Sequence, residues 1–356
     1  MGAPVAGTLS PGAAQTTRKA CFMSVRIGFH GFGRLGRNVF RVLYKRQGFD
    51  VRCIADVAPP ENLVYLLNYD SLHGRFPEEV TTARGYMFAG GRAIPMVSGR
   101  APGDVRWRDF DVDIVVEGSR RYRTTEQLDR HLEAGARRVI LTVPPQGPLD
   151  CVYSVGINDH LIDRSVKVVS NASCTSNALG LVLKILDEAF GVLRASMTTV
   201  HAYTNDLRLA DVPHEQLRRS RAAAENIIPS QTYSVNVVEH LLPQLRGRVS
   251  GMALNVPVPD GSVIDLVTVL RRRASVEEVN GAIRSAARSH LRGVLDYCDQ
   301  PIVSSDVIGN VHSAVFDSLT TRVIGENMVK TVTWYDNGWG YANRVVDLIQ
   351  RMAATL

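Results

Sequence analysis

Gly31-Phe-Gly-Arg-Leu-Gly36 follows the apolar run Ser24–Phe29 directly and leads into Asn38–Lys45, whose apolar residues recur at helical spacing. Strand, Gly-x-Gly-x-x-Gly and helix, in that order, make the phosphate-cradling turn of a dinucleotide-binding βαβ unit. Gly31 serves the tight turn. Gly33 lets the backbone approach a pyrophosphate, and Gly36 lets the helix pack closely on the strand. The helix N-terminus then offers free N–H groups to the anion. Asp56 ends the next apolar strand, Val51–Ala55, 20 residues beyond Gly36. A carboxylate there can hydrogen-bond ribose hydroxyls and would repel a 2′-phosphate, which favours NAD over NADP.

Working outward, Asp113–Val116 and Arg138–Val143 read as buried strands separated by the helix-like Thr125–Ala136. This alternation predicts a parallel, doubly wound sheet. After residue 173 the character changes. A helix (Asn177–Phe190) leads into the β-rich runs Leu193–His201, Gly247–Val256 and Ser262–Arg271. The helical Val276–Ser289 and the strand Met328–Tyr335 follow, and Trp339–Met352 is a last helix. The expected fold is α/β: a Rossmann dinucleotide-binding domain over 24–173 and a mixed α/β catalytic domain with a mostly antiparallel sheet over 174–336. Residues 337–356 are expected to return as a helix to the first domain. Residues 1–23, rich in Gly, Ala, Pro, Ser and Thr, are expected to form a disordered extension.

Composition sets the outer limits. The chain has 356 residues, 45% of them hydrophobic and 21% charged, enough for about two domains with ordinary cores. Its net charge of +6 is spread along the chain without a basic block interleaved with aromatics. Such a balance suits anionic small molecules and argues against a nucleic-acid partner. No apolar run is long enough to span a bilayer, so no membrane role is expected. The five cysteines contain no CxxC pair, so neither a disulfide framework nor a zinc ribbon is expected, and no metal is called for. This reads as a reduced, cytoplasmic protein.

Ser170-Asn-Ala-Ser-Cys174-Thr-Ser-Asn177 sets a cysteine among small polar residues immediately before a helix. A helix N-terminus stabilises a thiolate, and its N–H groups can also serve as an oxyanion hole. His201 ends a strand in Thr199-Val-His-Ala-Tyr-Thr204. An imidazole within reach of Cys174 could take up its proton. A buried cysteine and a satisfied core histidine are the plain alternatives.

These residues resemble the glyceraldehyde-3-phosphate dehydrogenase family. The likeness runs from about Val25 to Ile349 and is carried by several segments in order: Gly31–Arg37, Tyr69–Gly74, His131–Ala136, Ser170–Asn177, Thr199–Asp206, Arg221–Pro229 and Trp334–Arg344. It implies an NAD-dependent phosphorylating aldehyde dehydrogenase, assembled as a homotetramer, whose partners are an aldehyde and inorganic phosphate. Cys174 would attack the aldehyde and His201 would act as base. Gly31, Gly33, Arg34, Leu35, Gly36, Asp56 and Arg100 match cofactor contacts, with Thr142 and Asn337 on the nicotinamide side. Ser173, Thr175, Thr204, Arg219 and Thr232 match polar groups that hold the two phosphates. The segment Thr204–Arg221 resembles the family's long S-shaped loop near a subunit interface.

The sequence also departs from the family pattern. Asn255 stands where the family has a phosphate-pairing arginine, which removes a charge and a bidentate fork. Tyr233 stands for a glycine after Thr232 and brings a ring to the anion pocket. Gly118-Ser119-Arg120 replaces Ser-Thr-Gly and is followed by Arg121. Two arginines there would either clamp the pyrophosphate or obstruct the pocket. His30 stands for an asparagine and Gly338 for a glutamate; Ser176 and Ala178 are milder changes. With both phosphate sites altered, two alternatives stand beside glyceraldehyde 3-phosphate oxidation. One is a related aldehyde such as erythrose 4-phosphate. The other is a weakly active or non-catalytic dinucleotide-binding paralogue with a regulatory role.

Overall fold

The computed structural model describes Gly2, residues 24–148 and residues 150–356. The expected 1–23 extension, with Cys21, therefore lies outside the described residues, Gly2 aside.

The first half alternates strand and helix. It runs β1 (Val25–His30), α1 (Arg34–Lys45), β2 (Phe49–Ala55), α2 (Pro60–Asn68), then the short β3 (Tyr69–Asp70) and β4 (Gly74–Arg75). A meander follows, β5 (Thr81–Ala83), β6 (Tyr86–Ala89) and β7 (Arg92–Val97), and then β8 (Ile114–Glu117), α3 (Thr125–Glu133), β9 (Arg138–Leu141) and β10 (Val168–Ser170). Eight of these strands form one sheet in the order β10-β9-β8-β1-β2-β7-β6-β5. From β10 to β7 every pairing is parallel; β6 and β5 add an antiparallel edge. Strands β8 and β9 are buried at every position, as a sheet covered on both faces requires.

The second half begins with α4 (Cys174–Phe190) and the long β11 (Val192–Ala202), followed by β12 (Ile228–Ser230), α5 (Ser234–Leu241), β13 (Val249–Val256) and β14 (Ser262–Leu270). Then come α6 (Val276–Arg288), β15 (Leu295–Cys298), β16 (Ala314–Ile324), β17 (Met328–Tyr335) and α7 (Trp339–Ala353). The second sheet has the order β12-β13-β11-β14-β17-β16-β15. Only β11–β13 and β15–β16 pair in parallel, so the expected mostly antiparallel sheet is present. Strand β14 alternates buried and half-buried residues, the period-2 signature of a sheet packed on one face. Helix α4 lies on that face and buries twelve of its residues, Leu179, Leu181, Leu183 and Leu186 among them.

Helix α7 packs against α1. Arg46, just beyond α1, donates to Asp347 at 2.5 Å and to Asn343 at 2.9 Å on α7. The chain's end is thereby tied to its beginning. Helices α2 and α5 and the strands β3 to β7, β10, β12, β15 and β16 are additional to the elements read from sequence. No helix among the described residues is long and apolar enough to cross a membrane. Cys53, Cys151, Cys174 and Cys298 are all free thiols.

Candidate active site

The glycine loop is shaped for a close-lying anion. Gly31 has φ +92°, and a Cβ there would sit 2.5 Å from the Ser119 amide nitrogen. A Cβ on Gly36 would sit 2.6 Å from the Gly31 carbonyl. Above the exposed Gly33 there is open space. Helix α1 starts at Arg34 with no side-chain cap and no acidic residue in its first turn, so its leading N–H groups are free for a ligand. Asp56 accepts the Phe32 N–H at 2.6 Å and the Ala58 N–H at 2.9 Å. Its carboxylate thus braces the loop and keeps lone pairs for a ribose. These residues fit a dinucleotide.

Arg34 pairs with Asp260 at 2.8 Å. Leu35 packs against the main core. Arg100 is exposed at the rim, its carbonyl accepting the Tyr122 hydroxyl at 2.7 Å. Thr142 is buried, and its hydroxyl donates to the Glu117 carbonyl at 3.0 Å, closing the ends of β8 and β9.

Cys174 is the first residue of α4. Ser173 caps the helix in a reciprocal box with Ser176: its hydroxyl accepts the Ser176 N–H at 3.0 Å, and its own N–H donates to the Ser176 hydroxyl at 2.9 Å. Serine at position 176 therefore keeps the capping function. Ala172, two residues before the cysteine, holds φ +53°. Buried Asn177 ties the turn down through the Asn171 carbonyl at 3.0 Å and the Ser173 carbonyl at 2.9 Å.

His201 reaches Cys174 from β11: Nε2 lies 3.6 Å from Sγ. Its Nδ1–H donates to the Ala202 carbonyl at 2.7 Å, which leaves Nε2 facing the sulfur. Burial works against charge on this ring. The Cys174 sulfur and the Ala202 carbonyl outweigh it and push the His201 pKa above its ordinary value. The plain alternative for the cysteine fails here, because Cys174 is half-exposed and faces a histidine.

Tyr335, at the end of β17, packs edge-on to the His201 ring with centroids 6.0 Å apart. Its buried hydroxyl bonds Thr175 and Thr199, both at 2.8 Å. Burial pushes that hydroxyl well above the usual tyrosine range, so it stays protonated. Ser262 receives the Ala202 N–H at 3.0 Å and so gives its own proton to Asn337 Oδ1, 2.8 Å away. This fixes the Asn337 Oδ1 as an acceptor and leaves its NH₂ as the donor for a ligand. Neither Tyr335 nor Ser262 was singled out from sequence. The signal was a polar residue at a buried position of a strand that otherwise alternates.

The anion-binding groups gather at two helix starts. Ser173 and Ser234, the first residue of α5, bring their hydroxyls within 3.1 Å of each other, and Thr232 accepts the Ser234 N–H at 3.2 Å. Tyr233 differs from expectation. Its ring is 75% exposed and does not fill the anion pocket, because the N-cap backbone directs it outward. Asn255 stands beside His201 in register and accepts the Ser230 hydroxyl at 2.9 Å. Thr204 and Arg219 both bond Asp206. Arg120 is exposed with φ +64°.

His30 does not reach these residues. Its Nδ1 lies 2.6 Å from Glu117, which His131 Nε2 also meets at 3.0 Å. Trp107 donates to His131 Nδ1 at 3.0 Å, which puts the His131 proton on Nε2 and makes the trio a hydrogen-bond chain.

A doubly wound sheet with an anion-ready glycine loop, together with a cysteine at a helix start paired with a histidine on a second sheet, defines a two-domain dinucleotide-dependent oxidoreductase. Comparison with known proteins agrees. The family described as "Glyceraldehyde 3-phosphate dehydrogenase, NAD binding domain" matches residues 25–125, and its "C-terminal domain" matches residues 173–337. The glyceraldehyde-3-phosphate dehydrogenase of Geobacillus stearothermophilus is 45% identical over 333 residues, 93% of this chain and 99% of that protein. Glyceraldehyde-3-phosphate dehydrogenase 2 of Bacillus subtilis is 44% identical over 335 residues (94% and 98%), and that of Streptomyces arenae 45% over 336 (94% and 100%). The chain belongs to the glyceraldehyde-3-phosphate dehydrogenase family.

Proposed function

We propose that this chain oxidises D-glyceraldehyde 3-phosphate with NAD and inorganic phosphate to 1,3-bisphosphoglycerate, through a thioester on Cys174. The observation that carries the reading is the 3.6 Å approach of His201 Nε2 to a cysteine sulfur at the first position of a capped helix. Cys174 Sγ, having passed its proton to His201 Nε2, attacks the aldehyde carbon and forms a C–S bond, and the carbonyl oxygen takes that proton from His201 as the C=O π bond breaks. His201 Nε2 then accepts that hydroxyl proton as the carbon is oxidised to the thioester. NAD, when bound, supplies the hydride acceptor. Inorganic phosphate attacks the acyl carbon, the C–S bond breaks, and the thiolate is restored. Gly31, Gly33, Gly36, Arg34, Leu35, Asp56 and Arg100 would hold the dinucleotide, with Asn337 directing its NH₂ to the carboxamide.

The reading divides the chain into a dinucleotide domain over 24–173, a catalytic domain over 174–336 and a returning helix over 337–356. It places the protein in the cytoplasm. A homotetramer is supported by the exposed apolar side chains Leu209, Leu217 and Ile227 in and beside the Thr204–Arg221 loop. Nothing favours erythrose 4-phosphate or a non-catalytic role, since the cysteine–histidine pair is intact. NADH formation with glyceraldehyde 3-phosphate, with and without phosphate, tests the reading. No turnover, together with no labelling of Cys174 by iodoacetate, overturns it. Light scattering tests the tetramer.

A further inference from the structure

The first sheet reverses its direction of growth between β8 and β1. From β1 the order runs on to β2 and β7, and from β8 it runs back to β9 and β10. In an open parallel sheet a dinucleotide lies in the crevice beyond the carboxyl ends of two such strands. The walls of that crevice are the Gly31 loop after β1 and the Gly118–Tyr122 loop after β8. They all but touch, since a Gly31 Cβ would sit 2.5 Å from the Ser119 amide nitrogen.

His30 and Glu117 are the last residues of those two strands and are paired in register at the base of the crevice. Glu117 Oε2 lies 2.6 Å from His30 Nδ1 and 3.0 Å from His131 Nε2, and Oε1 accepts the Ser119 N–H at 2.8 Å. Ser119 and His131 donate, as suits an ionised carboxylate, so His30 Nδ1 carries the third proton. One carboxylate therefore holds the end of β1 through one oxygen and the opposite wall through the other. Tyr122, at the far end of that wall, sets its ring 5.8 Å from the His30 ring and donates its hydroxyl to the Arg100 carbonyl at 2.7 Å.

The His30 ring is 1% exposed, and among the described residues its Nε2 is buried without a partner. A buried unpaired nitrogen costs stability, and an apolar residue in the same space would avoid that cost. What the imidazole supplies is the single bond at Nδ1.

We infer that His30 and Glu117 are positioning residues for the dinucleotide: their bond sets the spacing of the Gly31 and Ser119 walls, and with it the affinity for NAD. The inference deepens the function proposed above and rests on it for the ligand.

The probe is NAD, titrated calorimetrically into the full-length protein. An Asn amide nitrogen lies as many bonds from Cβ as Nδ1 does, and a Gln amide nitrogen as many as Nε2. His30→Asn should keep Kd for NAD within about twofold of the parent. His30→Gln and His30→Leu should raise it roughly five- to thirtyfold, the scale of one hydrogen bond lost at the site. In turnover these two variants should raise KM for NAD by the same factor. They should leave kcat at saturating NAD, KM for glyceraldehyde 3-phosphate and iodoacetamide alkylation of Cys174 at the parent's values. A residue that only props the fold would lower the active fraction, reducing kcat with Kd unchanged, and that result overturns the proposal. So does a His30→Asn protein that binds as weakly as His30→Leu, or one Kd shared by all four proteins. Should His30→Leu not fold, the contrast between His30→Asn and His30→Gln decides alone. An unaltered protein that binds NAD but makes no NADH sinks the activity reading, while the calorimetric contrast still judges His30 and Glu117.

Discussion

Arg34 and Asp260 form an ion pair at 2.8 Å that joins the first residue of α1 to the turn between β13 and β14. The same Asp260 carboxylate accepts the Asn337 N–H at 3.2 Å. One side chain therefore connects the start of the phosphate-cradling helix to the residue assigned to the nicotinamide. Asp260 is fully buried and close to a second buried carboxylate, Asp336, with His73 nearby.

That arrangement has a pH signature. Burial and the Asp336 charge push the Asp260 carboxyl up to about 6, above the ordinary 3.8. The folded protein then holds a proton that the unfolded chain releases, so this group makes folding less favourable as pH rises through that window. Asp260→Asn imitates the protonated form. Its stability relative to the parent protein should be nearly unchanged at pH 4 and below, improve as pH rises from 4 to about 6 and level off above that, measured by denaturant unfolding. A flat or opposite trend would remove the assignment. The variant should bind NAD several-fold more weakly, on the order of a single lost charged contact, because Arg34 loses its partner.

Ser262→Ala should act on the cofactor without touching the sulfur. Ser262 receives the Ala202 N–H and passes its proton to Asn337 Oδ1. Without it the amide of Asn337 is free to turn. The expected result is a rise in KM for NAD of roughly five- to thirtyfold, the equivalent of about 1–2 kcal/mol, with Cys174 alkylation by iodoacetamide unchanged. Slowed alkylation would place Ser262 in the sulfur's own environment.

Much of this was legible in the chain itself. Gly31 and Gly36 announce their turn because only glycine tolerates the approach of Ser119 and of the Gly31 carbonyl, and that requirement is local. Cys174 is legible for the same reason, since its helix start is written in the adjacent Ser173 and Ser176. Tyr335 is not legible. Its function depends on β17 lying beside β14, which brings it to Thr175 and Thr199 from 160 and 136 residues away. Asp260 likewise looks like a turn residue until Arg34 arrives from 226 residues away. Tyr233 misleads in the opposite direction, because residue size predicts crowding while the N-cap backbone turns the ring to solvent.

Glu117 should dominate the acid side of stability. Burial opposes its charge, yet the hydrogen bonds from His131 and His30 hold its carboxyl down at about 2, below the ordinary 4.5. A depressed acid contributes stability that is fully present above pH 4.5 and is lost as pH falls toward 2, worth about 3 kcal/mol. Glu117→Gln should cost about that much at neutral pH, and the difference from the parent protein should shrink on acidification. The measurement is unfolding free energy across that range. A cost that persists undiminished at pH 2 would show that packing, not charge, holds this chain of side chains together.

The strongest test falls on the Cys174–His201 pair. The Cys174 sulfur and the Ala202 carbonyl raise the His201 pKa, so its protonated form persists above the ordinary 6.5 beside the sulfur. His201→Asn removes that cation and the proton acceptor together. Alkylation of Cys174 at pH 7 should slow by at least about tenfold. Turnover should fall by roughly 10²–10⁴, the usual contribution of a positioned general base. NAD binding should be unaffected, because Asp56 and the glycine loop belong to the other sheet. Cys174→Ser should abolish turnover while preserving the fold, since the Ser173–Ser176 capping box does not use the sulfur. An active Cys174→Ser enzyme, or a His201→Asn enzyme whose alkylation rate equals the parent's, would show that the 3.6 Å approach is packing and not chemistry.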